Sequence, residues 1–276
     1  MQALHRYSQT TQNCFVASEE DRHQIQTDLD RLVQWSEDWQ LGFNEGKCKV
    51  LHLGSRNPKN DYHMKGMTLT VTTEEKDLGV IIDDELKFHK HVSAAVKKSS
   101  RMLGLIRATF TCLNEITVPR LFTTLVRPHL EYGNIIWSPR FKMDSIEVEK
   151  VQRRATRLIS NLRQLSYEDR LRTLKLPSLN YRRRRGDMIQ VFKIIAGIDR
   201  VDPELFFHST SISQTRGHSQ KLTKQRSRLE LRSKFFSQRV IDDWNSLPEA
   251  AVSSSTLNCF KSSIDRFWRT EQYRIP

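Results

Sequence analysis

The chain has 276 residues, enough for about two domains at the usual ~150 residues each. Apolar residues make up 37% and charged residues 28%, against the ~45–50% apolar content of most globular chains. No apolar run approaches the ~20 residues that cross a bilayer, and the opening MQALHRYSQTTQ carries neither an apolar signal core nor an Arg-rich amphipathic pattern. No membrane partner is expected, and the expected compartment is cytosol or nucleus.

Charge is unevenly distributed. Residues 1–85 hold 9 basic and 15 acidic residues, net −6, whereas residues 86–276 hold 36 and 17, net +19. Such a basic excess is the electrostatic footprint of a polyanion partner, nucleic acid before an anionic membrane, with a merely solvated basic surface as the plain alternative. Cys14, Cys48, Cys112 and Cys259 have no paired ligand spacing, and His89 and His91 would leave a helix on different faces. No metal site is expected.

Residues 18–41 read as a helix. Ser18 is placed to cap it, Glu19, Glu20 and Asp21 complement its first turn, and Ile25, Leu29, Leu32, Val33 and Trp39 form an apolar stripe closed by Gly42. Lys49–Leu53 is strand-like and stopped by the turn residues Gly54, Ser55, Arg56, Asn57 and Pro58. An alternating run over Met67–Val71, a polar turn, and a third run over Leu78–Ile82 follow. Together they predict a small antiparallel β element at 49–82 packed on the first helix.

Beyond residue 86 the pattern is helical. Phe88, Val92, Val96, Ser99, Leu103 and Ile106 lie on one face, with Lys90, Lys97, Lys98, Arg101 and Arg107 elsewhere. Asn114–Arg127 predicts a helix ended by Pro128. Asp144 and Glu147 suggest a capping box opening a helix to Ser160, with Ile146, Val151, Ala155, Leu158 and Ile159 inward. Its outer face carries Lys150, Arg153, Arg154 and Arg157. Ser166 caps a short helix through Leu174. The helix after Ser178 holds the run Arg182, Arg183, Arg184 and Arg185, then Met188, Val191, Phe192 and Ile195, and stops at Gly197. Residues 209–230 read as a mobile basic linker. One helix is expected through Phe235, Phe236, Val240, Ile241 and Trp244, and a last one with Leu257, Phe260, Ile264, Phe267 and Trp268 on one face.

Two-metal phosphoryl transfer needs converging carboxylates. Asp83-Asp84 and Asp242-Asp243 are the candidates; the first pair follows a strand but, with no partner carboxylate in a matching strand, reads as a solvated turn, and the second as helix surface charge. No GxSxG, HExxH or glycine-rich phosphate loop occurs. Phosphate contact is better supported, by Lys97, Lys98, Arg101, Lys150, Arg153, Arg154 and Arg157, and by Arg182, Arg183, Arg184 and Arg185.

These residues also carry a family likeness. The series Asp28-Leu-Asp, Trp35, Trp39, Phe43-Asn44, Lys47-Cys48 and Leu53-Gly54, then Lys76-Asp77-Leu78-Gly79-Val80, resembles the late palm of reverse transcriptases from non-LTR retrotransposons (LINEs) of the jockey-like kind. Leu125 to Gly133, Glu149 to Ala155, Arg182 to Asp187 and Trp244-Asn245 with Leu247-Pro248 resemble the thumb and C-terminal region of the same proteins. The likeness runs from about residue 19 to the end.

The resemblance implies that Asn44 and Lys47 are a remnant of polymerase motif D, whose lysine assists proton transfer to the departing pyrophosphate. It implies that Leu78, Gly79 and Val80 correspond to the primer grip. The helices after residue 86 would be a thumb lying along a template–primer minor groove. In the family a Phe/Tyr-x-Asp-Asp hairpin precedes the Asp28 helix; MQALHRYSQTTQNCFVA stands there and contains no Asp or Glu. The catalytic aspartates, fingers and endonuclease are thus expected to be missing. No catalytic residue and no cofactor are assigned to this chain, Mg²⁺ being implied only for an intact family member.

The expected fold is mostly α with a small antiparallel β element. An unrelated or disordered start (1–17) precedes a palm remnant (18–85), a helical thumb (86–175) and a helical C-terminal region (176–276). The expected function is that of a truncated, inactive reverse-transcriptase fragment that keeps an RNA or RNA–DNA duplex surface. A basic helical interaction protein without a polymerase role, or a non-functional truncated product, are the alternatives; the oligomeric state is unassigned.

Overall fold

The computed structural model describes residues 19–54, 57–209 and 217–275. The expected start over 1–17, the expected cap Ser18, the turn residues Ser55 and Arg56, and 210–216 of the expected linker lie outside the described residues. The chain is mostly helical with small β pieces, and it divides into two compact units, Met1–His91 and Val92–Pro276.

In the first unit α1 (Glu19–Asp38) ends ahead of Gln40, whose backbone is left-handed (φ 55°), rather than at Gly42. Ile25, Leu29, Leu32 and Val33 pack on buried Tyr62, Met64 and Leu69, beside Phe43, Cys48 and Val50. Trp39 departs from the expected stripe. It is 67% exposed and leans on Trp35 with ring centroids 6.3 Å apart, because the helix has ended before it. Gln26 ties α1 to strand β2 (His63–Met64): its amide donates to His63 O at 2.9 Å and accepts from His63 N–H at 3.0 Å.

The β element is less uniform than expected. β1 (Lys49–Leu51) pairs in parallel with β4 (Thr70–Thr72), the crossover being supplied by residues 52–69. The other two pairs are antiparallel: β2 with β3 (Met67–Thr68), and β5 (Glu74–Asp77) with β6 (Val80–Asp83). β5 occupies the expected polar turn. Its charged side chains are held by ion pairs, Lys49 to Glu75 at 2.8 Å and Lys90 to Glu74 at 2.5 Å. Both hairpins turn on two residues of positive φ, Lys65-Gly66 (48° and 76°) and Leu78-Gly79 (44° and 88°), the geometry that matches the twist of paired strands.

The unit boundary falls within α2 (His89–Thr109), which buries Val92, Ala95, Ser99, Leu103 and Ile106. Pro128 does not end the next helix. α3 (Thr117–Leu121) passes through a π turn over Phe122–Val126 into α4 (Arg127–Glu131). The widened register just before Pro128 relieves the clash of its ring with the carbonyl four residues back. After left-handed Gly133 come α5 (Asn134–Trp137) and α6 (Lys142–Thr156). α6 starts ahead of Asp144, so the capping box does not form its end, and Ile146 is 37% exposed while Val148 is buried in its place.

Ser166 caps α7 (Tyr167–Leu174) as expected, and Ser178 caps α8 (Leu179–Ile195) in the same way, accepting the N–H groups of Asp169 and Tyr181 at 3.2 Å each. After α9 (Glu230–Lys234), the single helix expected over 235–244 is two short ones, α10 (Phe236–Arg239) and α11 (Ile241–Asn245), followed by α12 (Glu249–Val252) and α13 (Leu257–Phe267). Met188, Val191 and Phe192 pack with Trp244, Phe260 and Ile264, and Phe192 stacks on Phe260 at 4.3 Å. Phe267 stays 46% exposed. From Val92 onward, the segments read as thumb and C-terminal region lie in one unit.

Two residues of the expected linker, His218 and Leu222, are built into the core. His218 Nε2 lies 2.9 Å from Trp244 O, the Trp244 indole N–H donates to Gln220 O at 2.7 Å, and Asn245 bonds both backbone groups of buried Leu222 at 2.9 Å. A polar segment stays ordered here because α11 supplies partners for its backbone.

Candidate nucleic-acid interface

α6 owes its orientation to its buried face. Val148, Val151 and Ala155 are fully covered, Gln152 donates to Pro177 O at 3.0 Å, and buried Glu149 accepts from the Tyr167 hydroxyl at 2.6 Å and from Leu179 N–H at 3.0 Å. The Glu149 carboxyl thus sits at the N-terminus of α8, with burial raising its pKa. Locking that side directs Lys150, Arg153, Arg154 and Arg157 outward, all four exposed as expected.

Arg154 joins this face to α2. Its Nη2 donates to Ser100 Oγ at 2.9 Å and its Nε to Lys150 O at 3.4 Å. Between the two helices lies a cleft of about 530 Å³ with Leu103, Gly104 and Leu158 among its lining and Arg107, Arg154, Arg157 and Arg163 around them. The Arg163 Nε donates to Arg157 O at 3.1 Å, which fixes its guanidinium at the rim. Beside it a smaller hollow of about 340 Å³ is lined by Lys150, Arg153, Arg154 and Arg157 with Glu147, which pairs with Lys150 at 2.5 Å. The Arg153 guanidinium lies over the Tyr167 ring at 4.8 Å.

Lys97, Lys98 and Arg101 are exposed on α2. Lys97 and Arg101 are one turn apart and continue toward Gly104 and the cleft. Lys98 is near His129, whose pKa is lowered first by burial and then by that lysine. The sequence pattern assigned neither Arg107 nor Arg163 to the interface. Arg107 was visible only as one more polar-face cation, and Arg163 lies past the end of α6, where helical spacing gives no guide.

The arginine run is placed otherwise than expected. Arg182 pairs with Glu131, Arg184 with Asp243 at 2.8 Å and Glu271 at 2.5 Å, and Arg185 with Asp265 at 2.6 Å. Arg183 is 5% exposed and donates to Ser145 Oγ at 3.3 Å. These four cations are committed to the interior of the unit. Their carboxylate partners come from residues 131, 243, 265 and 271, too far along the chain for spacing to reveal.

In the first unit Asn44 and Lys47 bracket an exposed 3-10 turn (Glu45–Lys47), with Lys47 N–H donating to Asn44 O at 3.0 Å. Leu78 and Gly79 form the tip of the β5–β6 hairpin, Leu78 being 69% exposed, while Val80 is buried. Three of the four paired carboxylates have partners within the fold. Asp83 accepts from Lys87 N–H at 3.0 Å and Phe88 N–H at 2.6 Å, Asp242 pairs with Lys224, and Asp243 with Arg184. Residues so engaged do not fit a two-metal centre, and among the described residues no three His, Cys, Asp or Glu side chains could hold a metal ion. Among the described residues no helix is long and apolar enough to cross a membrane.

Two known proteins match part of the chain. A probable RNA-directed DNA polymerase from the transposon X-element of Drosophila melanogaster is 26% identical over 139 residues, and the RNA-directed DNA polymerase from the mobile element jockey of Drosophila funebris is 23% identical over 140. The matches take in 47% and 49% of this chain and 15% of each relative's length, so the chain spans a small part of either. No family model and no solved structure matches it. Over about half of its length the chain is therefore similar to RNA-directed DNA polymerases of non-LTR retrotransposons.

Proposed function

We propose that this chain is a nucleic-acid-binding part of a non-LTR retrotransposon reverse transcriptase, which holds an RNA or RNA–DNA duplex on the exposed face of α2 and α6 and does not itself carry out phosphoryl transfer. One observation carries this reading. Lys97, Lys98, Arg101, Arg107, Arg153, Arg154, Arg157 and Arg163 are exposed, and among the described residues none is in an ion pair, whereas Arg182, Arg184 and Arg185 each are. Like charges gathered without counter-ions repel one another, and a row of phosphates relieves that repulsion. The engagement of Asp83, Asp242 and Asp243 within the fold supports the absence of catalysis. On this reading the second unit is thumb-like, and the Asn44–Lys47 turn and the Leu78–Gly79 tip are remnants of motif D and the primer grip.

The test is binding of the full chain to a blunt RNA–DNA duplex across a salt series. Log affinity is expected to fall linearly with log salt, and Lys97→Ala with Arg101→Ala is expected to flatten the slope by roughly 0.9 for each phosphate no longer neutralised. Affinity indifferent to salt and to these substitutions would favour a basic interaction protein with a protein partner. Primer extension on an RNA template is expected to give no product.

A further inference from the structure

We infer that the α2–α6 cleft is a pocket for one unstacked nucleotide, its phosphate held by the surrounding guanidiniums and its base laid on the apolar lining. The inference rests on the proposed nucleic-acid reading and adds a distinct ligand class to it. A duplex presents its phosphates on a convex surface, which suits the open face at Lys97 and Arg101. The cleft is concave: Leu103 at its base is 8% exposed, and nothing lies within 4 Å of where a Gly104 Cβ would stand. At about 530 Å³ it holds a nucleotide and excludes a double helix.

Its chemistry has two halves. Arg107, Arg154, Arg157 and Arg163 line it with no acidic residue among them, and two of the four are held in place by neutral acceptors, Arg154 by Ser100 Oγ and Arg163 by Arg157 O. Guanidiniums fixed without a carboxylate keep their remaining donors for an anion, and their planar faces accept a stacked base. Leu103 and Leu158 give the apolar surface that a base detached from its stack needs. A nucleotide of a single-stranded segment and a free mononucleotide share this chemistry.

The experiment compares a blunt RNA–DNA duplex, the same duplex with a single-stranded RNA overhang, a single-stranded RNA octamer and uridine monophosphate, each titrated against the full chain. The overhang is expected to tighten binding about tenfold over the blunt duplex. Gly104→Leu, which fills the cleft and changes no charge, is expected to abolish that gain while leaving blunt-duplex affinity within about twofold; Arg163→Ala is expected to abolish it as well. Mononucleotide binding that Gly104→Leu removes, without an overhang gain, would support the pocket and assign it a free nucleotide. Equal affinity for blunt and overhanging duplexes together with no mononucleotide binding, or a gain that survives Gly104→Leu in a folded variant, overturns the inference. Should the blunt duplex fail to bind, the duplex reading fails, and the octamer with its Gly104→Leu control still decides the pocket.

Discussion

The Arg239 guanidinium grips Asp187 through two hydrogen bonds, of 2.9 and 2.8 Å, in a place where the side chains are only 14% and 10% exposed. Arg239 also donates to Ile135 O at 3.0 Å, so one cation joins α10, α8 and the start of α5. Burial raises the Asp187 pKa, and the arginine opposes that rise. Removing the carboxylate strands a buried cation. Asp187→Ala is therefore expected to cost about 3–5 kcal/mol in denaturant unfolding, and the double variant with Arg239→Met less than the sum of the two single changes. Additive losses would show that the pair is not coupled.

The inward turn of the arginine run gives a contrast between binding and stability. Arg184→Ala removes a guanidinium shared by Asp243 and Glu271 and lying 4.8 Å from the Trp268 ring. It is expected to lower the melting temperature and leave the salt slope of duplex binding unchanged. Arg157→Ala, beside Lys150, Arg153 and Arg154 at the exposed end of α6, is expected to do the reverse, with the slope reduced by roughly 0.9 and stability nearly untouched. Measuring both quantities on both variants checks it; a slope change in Arg184→Ala would return the run to the interface.

What could be read from spacing and what could not follow from the range of the interactions. α1 and α2 declared themselves through 3- and 4-residue apolar stripes, and α7 through its cap Ser166, all signals contained within one or two turns. β5 was hidden because Glu74 and Glu75 are held by Lys90 and Lys49 rather than by apolar alternation. The π turn before Pro128 left no mark in hydropathy, and the order of residues 217–225 depends on Trp244 and Asn245 from another segment. The outer face of α6 was legible for the same local reason as its stripe. The fate of Arg182 to Arg185 was not, since a charge's partner is a property of the fold.

Gly104 stands in the interior of α2, where glycine costs helix stability through the backbone freedom it loses on folding. Nothing lies within 4 Å of an added Cβ. Gly104→Ala is expected to stabilise the chain by about 0.5–1 kcal/mol, read as a raised denaturant midpoint at constant m value. A fall in the midpoint would overturn this reading of Gly104 as an unstrained helical position.

Acid is expected to loosen the first unit through His91. Its ring is 7% exposed, and its Nδ1 accepts the Ile81 N–H at 3.1 Å, a bond that only a ring unprotonated at Nδ1 can accept. Burial first, and Lys76 second, hold its pKa below the ordinary 6.5. His52 is lowered in the same direction by burial and then Lys59. With the folded pKa below the unfolded one, the unfolded chain takes up protons first as pH falls. The stabilisation is complete above about pH 6.5 and is lost progressively below it, until the folded-state pKa is passed. Melting followed by circular dichroism is expected to be flat from about pH 8 to 7 and to decline below about 6.5. His91→Gln, which cannot titrate there, is expected to lower stability at neutral pH and to make that decline shallower. A decline of the same steepness in His91→Gln would assign the acid sensitivity to other groups.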